Sequence, residues 1–201
     1  MISLSDLRQF KQQGRRFSCL TCYDASMAKA MELAENDSIL IGDSLGMTIQ
    51  GHDSTLPVNV ADMAYHTAAV RRTNQHSFIM TDLPFMSYAT VNDALINAKT
   101  VMQAGAQMVK IEGGAWLSET VQTLTRNGIP VCVHLGLTPQ SVHVFGGYKL
   151  QAKTLDAADQ LIADCKAVVE AGAAVLLLEC VPAQMGKEIT ELFPNVPVIG
   201  I

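Results

Sequence analysis

The stretch SILIGDSLGMT, residues 38–48, decides the fold, because a short apolar run leads directly into Gly42, Asp43 and Ser44. A continuous apolar run bounded by turn residues is typical of a strand that is buried on both faces. The carboxylate at its end raises the question of where that charge lies. The order of the remaining elements along the chain answers it.

Apolar strand-like runs alternate with helical patterns along the chain, which predicts a parallel sheet covered by helices. The segments QAGAQMVKIE (103–112) and EAGAAVLLLE (170–179) repeat one unit, consisting of a helix end, a glycine, a short strand and a glutamate. The predicted strands are Phe17–Cys22, Ser38–Gly42, Phe78–Thr81, Met108–Ile111, Val131–Val133, Val175–Leu178 and Val196–Ile201. The predicted helices are Ser3–Gln13, Ala25–Glu35, Val60–Arg72, Val91–Gln103, Leu117–Arg126, Leu155–Glu170 and Ala183–Leu192.

Two architectures fit such a parallel sheet, an open doubly wound sheet and a (β/α)8 barrel. No G-x-G-x-x-G follows the first strand, so the dinucleotide-binding form of the open sheet lacks its main sign. In a barrel the carboxyl ends of all strands converge on one opening, where catalysis takes place, and a carboxylate at a strand end projects into it. Five polar residues lie at or just past the ends of different predicted strands: Asp43, Asp82, Glu112, His134 and Glu179.

We therefore predict an α/β fold of the (β/α)8 TIM-barrel type, with residues 1–201 as a single barrel domain. The sequence ends within the seventh predicted strand, whereas a barrel has eight strands and about 250 residues. Either the chain is a fragment or the closing strand comes from elsewhere, and we expect a truncated domain that is C-terminally incomplete. An unclosed parallel sheet exposes edge strands, so we also expect the chain alone to be poorly soluble or inactive.

Composition excludes several classes of function. The net charge is −5 and there is no cluster of basic residues, which argues against nucleic acid as a partner. No apolar run approaches the ~20 residues that cross a bilayer, and the N-terminus lacks an apolar secretory core, so we expect a cytoplasmic protein without membrane contact. Cys19 and Cys22 form a C-x-x-C, but on a strand they face opposite sides, which predicts structural cysteines.

The acidic strand ends indicate a metal site. Asp43 and Asp82 would repel each other at one opening unless one is protonated or a cation lies between them. One or two carboxylates, completed by waters and substrate oxygens, describe a Mg²⁺ site. The alternative is that each aspartate caps the helix that follows it, since Asp is a favoured N-cap. Glu112, from a third strand, favours the metal.

Three further residues suit catalysis on a small anion. Lys110 and Glu112 are two apart on one strand and so face the same side, which places a lysine beside the carboxylates or forms a buried ion pair. Glu179 follows an apolar run and suits general-base work, with a helix cap or a solvent-facing glutamate as the alternative. His134 either binds substrate or has a structural role. A cation with a nearby base suits proton abstraction next to a carbonyl.

Taken in order, the motifs of this chain resemble those of the ketopantoate hydroxymethyltransferase family over essentially its whole length. The resemblance implies a (β/α)8 barrel that transfers a hydroxymethyl group from 5,10-methylenetetrahydrofolate to 3-methyl-2-oxobutanoate, giving 2-dehydropantoate in pantothenate biosynthesis. It also implies a Mg-stabilised enolate and assembly into a homo-oligomer, a decamer in the family. The matching stretches are ILIGDSLGMTIQGHDSTLPV, AYHTAAVRR, TDLPFMSYAT, AGAQMVKIEGG, VCVHLGLTPQSV, FGGYK and LECVP.

The resemblance further implies roles for the residues at the strand ends. By position, Asp43 and Asp82 look like Mg²⁺ ligands that also hold substrate, and Glu112 looks like the residue that completes the metal site directly or through water. Ser44 resembles the residue that binds the keto acid. Lys110 and His134 look like substrate contacts, and Glu179 matches the base that deprotonates C3 of the keto acid.

Two other functions remain open at this point. One is another Mg²⁺-dependent enolate barrel of the phosphoenolpyruvate mutase and isocitrate lyase type, which also places Gly-Asp-Ser after a strand. The lyase members use a cysteine in a mobile loop, and no cysteine of this chain occupies an obvious loop of that kind. The other is a non-catalytic truncated paralogue that only binds or scaffolds.

Overall fold

The computed structural model describes residues 1–201 as an alternating series of strands and helices. The strands are β1 (Cys19–Thr21), β2 (Ser38–Ile41), β3 (Phe78–Asp82), β4 (Met108–Glu112), β5 (Val131–Gly136), β6 (Val175–Glu179) and β7 (Val198–Gly200). The helices are α1 (Leu4–Gln12), α2 (Ala25–Leu33), α3 (Leu45–Thr48), α4 (Val60–Thr73), α5 (Val91–Ala104), α6 (Ser118–Arg126), α7 (Val142–Phe145), α8 (Leu155–Glu170) and α9 (Ala183–Leu192). Two 3₁₀ turns, Ala115–Leu117 and Pro139–Ser141, follow β4 and β5.

The strand order of the sheet is the order of the strands in the chain, from β1 to β7. β1 pairs with β2, β2 with β3, β3 with β4, β5 with β6 and β6 with β7, all in parallel. A parallel sheet in sequential order with a helix in each crossover has the topology of a (β/α) barrel. The predicted fold class is therefore confirmed, and each predicted strand and helix is present.

Two compact units divide the chain, residues 1–110 and residues 111–201. The prediction of a single domain is not settled by this division and stays a prediction. In the first unit, helix α4 packs against both α2 and α5, and it buries Met63 and Val70 completely. The strands β2 and β3 are buried along their whole length, as their unbroken apolar sequences predicted.

The second unit is built around β5 and β6, which pair from Cys132 opposite Val175 to Gly136 opposite Glu179. Helix α8 packs against β5, α6 and α9 and buries Leu161, Cys165 and Val168. The strand interiors Val131–Leu135 and Val175–Leu178 are buried throughout. His134 and Glu179, the histidine and the glutamate of these two strands, both lie toward the carboxyl ends.

Glycines end two of the long helices, as the repeated sequence unit predicted. Gly105 follows α5 with φ at +121°, in the region that favours glycine. A Cβ there would lie 2.5 Å from Cγ of Arg71 on α4, so the close approach of the two helices also requires glycine. Gly172, with φ at +111°, plays the same part after α8.

No cysteine forms a disulfide, and Cys22, Cys132 and Cys165 are buried. The structural role predicted for Cys19 and Cys22 stays a prediction. No helix in the structure is long and apolar enough to cross a membrane.

The buried cysteine on α8 provides a test of the packing. Burial raises the pKa of the Cys165 thiol to about 12, with the nearby charge of Asp164 adding to the effect. At pH 8 only about one molecule in ten thousand then carries the thiolate, against about a quarter for an unperturbed cysteine. We expect iodoacetamide at pH 8 to label Cys165 only after unfolding, while the half-exposed Cys180 is labelled in the folded protein, as measured by peptide mass spectrometry. Rapid native labelling of Cys165 would contradict the packing of α8.

Candidate active site

The carboxylate of Asp82 is the centre of the polar cluster in the first unit. Asp82 is the last residue of β3 and is only 2% exposed. Its Oδ1 lies 2.8 Å from Nζ of Lys110, the residue opposite it in β4, and its Oδ2 accepts a hydrogen bond of 3.1 Å from the backbone N–H of Asp43. Parallel pairing of β3 with β4 therefore places a carboxylate and an ammonium side by side, and Asp82 ties both to the turn after β2.

The alternative that Asp43 and Asp82 are helix caps is wrong. Helix α3, which follows Asp43, has Ser44 at its N-cap position, and the Ser44 side chain makes no capping hydrogen bond. Helix α5, which follows Asp82, is capped by Thr90, whose hydroxyl accepts from the N–H of Asp93. Both aspartates are buried, and neither occupies the N-cap position of the helix that follows it.

Ser44 is held by a tyrosine that the sequence analysis missed. The hydroxyl groups of Tyr23 and Ser44 lie 2.7 Å apart, and the carbonyl of Tyr23 contacts Nδ1 of His66 at 2.7 Å. A Cβ on Gly42 would lie 3.1 Å from Ser44 Oγ and 3.5 Å from Asp82 Oδ2, so this glycine leaves room for both side chains. Tyr23 follows β1 as Asp43 follows β2, and the rule that polar residues follow strand ends would have found it.

In the second unit, Glu112, His134 and Glu179 form a connected series. Oε1 of Glu112 lies 3.3 Å from Nδ1 of His134, and Nε2 of His134 lies 3.2 Å from Oε2 of Glu179. The other oxygen of Glu112 accepts a 3.0 Å hydrogen bond from the backbone N–H of Gln140. The Glu112 and His134 side chains are each 2% exposed, whereas that of Glu179 is 19% exposed. Glu179 is therefore the member of the series that small molecules reach most easily.

The local structure explains this arrangement. The pairing of β5 with β6 places Gly136 opposite Glu179, and a Cβ at Gly136 would lie 2.4 Å from the carbonyl oxygen of Glu179. The glycine, with φ at +86°, thus lets the chain turn closely past the end of β6. The cap alternative for Glu179 is wrong, since helix α9 starts after Pro182 and has no side-chain cap.

The donor set of the first unit fits a divalent cation. Asp43 and Asp82 supply carboxylate oxygens, and Mg²⁺ is commonly held by one or two carboxylates completed by waters and substrate oxygens. The two buried carboxylates of Asp43 and Asp82 outnumber the one buried ammonium, that of Lys110, and a cation would neutralise the excess negative charge. No group of three or more His, Cys, Asp or Glu side chains in the structure is arranged to hold a metal ion, and Glu112 as a third ligand stays a prediction.

Comparison with solved structures defines the class of protein by its fold. The chain matches phosphonopyruvate hydrolase, solved with oxalate and Mg²⁺, with a TM-score of 0.70 and 13% identity over 100% of this chain and 80% of that one. It matches 2,3-dimethylmalate lyase, a member of the PEP mutase/isocitrate lyase superfamily, with a TM-score of 0.71 and 16% identity over 100% of this chain and 72% of the lyase. The chain thus shares the barrel fold of this superfamily.

Sequence comparison identifies the family within that fold. The model of the family described as ketopantoate hydroxymethyltransferase matches residues 1–201. The 3-methyl-2-oxobutanoate hydroxymethyltransferases of Acinetobacter baumannii (strain AYE) and Acinetobacter baylyi are 87% and 85% identical over 100% of this chain and 75% of their own length. That of Psychrobacter sp. (strain PRwf-1) is 64% identical over 100% of this chain and 74% of its own length. The chain belongs to the ketopantoate hydroxymethyltransferase family, an enzyme family, and the predicted resemblance is confirmed.

The ion pair of Lys110 with Asp82 yields a stability test. Their side chains are 4% and 3% exposed, so Lys110→Met leaves a buried carboxylate without its ammonium. We expect the free energy of unfolding to fall by about 3–5 kcal/mol, measured by urea denaturation. The control is Lys187→Met, whose partner Glu191 is 3.9 Å away and whose side chain is 67% exposed, and we expect a change below about 0.5 kcal/mol there. Equal effects in the two variants would show that the buried pair has no special role.

Proposed function

We propose that this protein transfers a hydroxymethyl group from 5,10-methylenetetrahydrofolate to 3-methyl-2-oxobutanoate to give 2-dehydropantoate, the activity that the names of its relatives indicate. The transferred carbon arrives as a methylene group and leaves as a hydroxymethyl group, so one water is consumed and tetrahydrofolate is released. The proposal rests on one observation: His134 lies between Glu112 and Glu179, and Glu179 is the least buried of the three. Removal of the C3 proton of the keto acid requires a base of this kind.

Glu179 is the base in this proposal. Its Oε2 takes the proton from C3, and the electron pair that is left forms the new C–C bond to the one-carbon unit. His134 lies 3.2 Å from the same oxygen, close enough to share the proton and hold the carboxylate in place. Glu112 and the N–H of Gln140 fix the orientation of the imidazole from the other side.

Asp43 and Asp82 are the residues that would hold Mg²⁺. The ion, when bound, supplies positive charge for the keto acid oxygens and for the negative charge that develops as the C3 proton leaves. Lys110 holds Asp82 and provides a positive charge for the substrate carboxylate, while the hydroxyl of Ser44, oriented by Tyr23, donates a hydrogen bond to the keto acid. Both oxygens of Glu112 already contact protein groups, which favours its acting on the metal through water. Homo-oligomer assembly and a cytoplasmic location remain predictions.

The overall reaction is tested with the purified protein, 3-methyl-2-oxobutanoate, 5,10-methylenetetrahydrofolate and Mg²⁺. Because the residues proposed for the metal and the base are all present, we expect mass spectrometry to detect 2-dehydropantoate, in place of the inactivity that the exposed sheet edge suggests. We expect the product to disappear when the folate is omitted or when EDTA removes the metal. Failure to form the product with all components present would overturn the proposed function in favour of a non-catalytic paralogue. Cleavage of a phosphonopyruvate-type or malate-type substrate instead would favour the superfamily alternative.

The role of Glu179 is tested without folate by exchange of the C3 proton in D₂O, where NMR follows the change of the methyl signal of 3-methyl-2-oxobutanoate from a doublet to a singlet. We expect Glu179→Gln to slow this exchange by about a thousandfold, because the amide does not accept the proton. Glu188→Gln, an exposed glutamate on α9, is the control and should exchange at the wild-type rate. Unchanged exchange in Glu179→Gln would assign the base to another residue.

A further inference from the structure

A cavity of about 380 Å³ in the second unit has no role in the proton transfer described above. It opens beside Glu112, and its lining is mostly apolar with a small number of polar side chains. This size and character are those of small-molecule sites, which range from about 300 to 1,000 Å³ and use few polar groups to orient a ligand. Its walls come from the 3₁₀ turn after β4, the segment from the end of β5 through α7, and the first half of α8.

An exposed tryptophan forms one wall. Trp116 is 67% exposed, and its indole packs closely over Gly113, where a Cβ would lie 2.6 Å from the ring. The half-buried Phe145, at the end of α7, also lines the cavity. Two aromatic rings at the border of a cavity offer stacking surfaces for a flat ring system, which a single exposed tryptophan on a convex surface would not.

A carboxylate forms another wall. Asp164 on α8 lines the cavity, and its Oδ1 accepts a 2.8 Å hydrogen bond from the backbone N–H of Ala115. A Cβ on Gly114 would lie 2.6 Å from this carboxyl group. Gly113 and Gly114, which have no side chains, therefore leave room for Trp116 and Asp164. An ionised carboxylate has about four acceptor sites, so Asp164 still has the capacity to accept two parallel N–H bonds.

We propose that this cavity binds the pterin ring of the folate co-substrate, with Asp164 accepting from the ring N3–H and the 2-amino group and with Trp116 stacking on the ring. The edge of a pterin that carries these two donors has the geometry of a guanidinium, which carboxylates bind in a bidentate manner. Glu112 lines the cavity and also begins the series that ends at Glu179, so the bound ring lies next to the machinery that acts on the one-carbon unit. The assignment rests on the proposed function for the identity of the ligand.

The test measures binding of tetrahydrofolate directly, without turnover. Trp116 is the only tryptophan of the chain, so its fluorescence reports on this cavity alone. We expect tetrahydrofolate, and a tetrahydropterin that lacks the glutamate tail, to quench this fluorescence, and isothermal titration calorimetry to give the dissociation constants. Asp164→Asn keeps an oxygen for the N–H of Ala115 but lacks the carboxylate, and we expect it to weaken both ligands at least tenfold.

Two controls separate recognition from a structural effect. Asp159→Asn changes an exposed aspartate on the same helix outside the cavity and should bind like the wild type. An analogue with a methyl group in place of the 2-amino group should bind weakly to the wild type and about equally weakly to Asp164→Asn, because it lacks the donor that Asp164 recognises. Binding of 3-methyl-2-oxobutanoate should be unchanged in Asp164→Asn.

The outcomes of this test are independent of those of the proposed function. Wild-type affinity of Asp164→Asn for tetrahydrofolate, or tetrahydrofolate binding that leaves Trp116 fluorescence unchanged, would overturn the assignment of the cavity even if hydroxymethyl transfer is observed. Quenching that depends on Asp164 would support the assignment even if the protein forms no 2-dehydropantoate. Absence of any tetrahydrofolate binding overturns the assignment.

Discussion

The ion pair of the buried Asp82 carboxylate with Lys110 is the interaction on which the arrangement of the strand ends in the first unit depends. A charge that is 2% exposed is tolerated only when it is paired and hydrogen-bonded, and Lys110 and the N–H of Asp43 provide both contacts. These contacts join the ends of β2, β3 and β4, so the same group that requires stabilisation also fixes the relative positions of three strand ends. A pair of apolar residues would pack there with less cost, which makes function the better explanation of the charges.

In the second unit, too, charged side chains from several strand ends contact one another. His134 lies between two glutamates, one buried and hydrogen-bonded to the backbone, the other partly open to solvent. In the proposed mechanism the buried Glu112 orients the ring, and the more accessible Glu179 acts as the base. Each unit thus places charged side chains at strand ends, each beside a neighbouring charged or polar group, and such an arrangement would favour the preorganised catalysis that we propose.

Sequence reasoning found the strands because parallel strands buried on both faces have unbroken apolar sequences, such as VLLL before Glu179. It found the polar strand ends for the same reason, because a charged residue directly after an unbroken apolar run is easily recognised in the sequence. It missed α3 and α7, which have four residues each, because one helical turn has no measurable periodicity. Tyr23 was missed because a tyrosine after a strand carries no charge to mark it.

The cavity beside Glu112 lay outside what the sequence could predict. Asp164 lies on α8 among other polar residues and reads as part of a solvated helix face, and only the fold brings it to the glycines after β4. From the sequence alone, Trp116 could be assigned equally to the core or to the surface. Such contacts between distant segments depend on packing, which a single sequence does not reveal.

The account depends most on Asp43 and Asp82 acting together on one divalent cation. The most direct measurement is the titration of the protein with Mn²⁺, a hard ion that replaces Mg²⁺ at oxygen sites, followed by electron paramagnetic resonance. The matched variant is Asp43→Asn, which removes the charge and retains the backbone N–H that donates a hydrogen bond to Asp82. The account predicts one bound Mn²⁺ per wild-type chain and at least tenfold weaker binding in the variant. Equal binding by the two proteins, or none by the wild type, would contradict it.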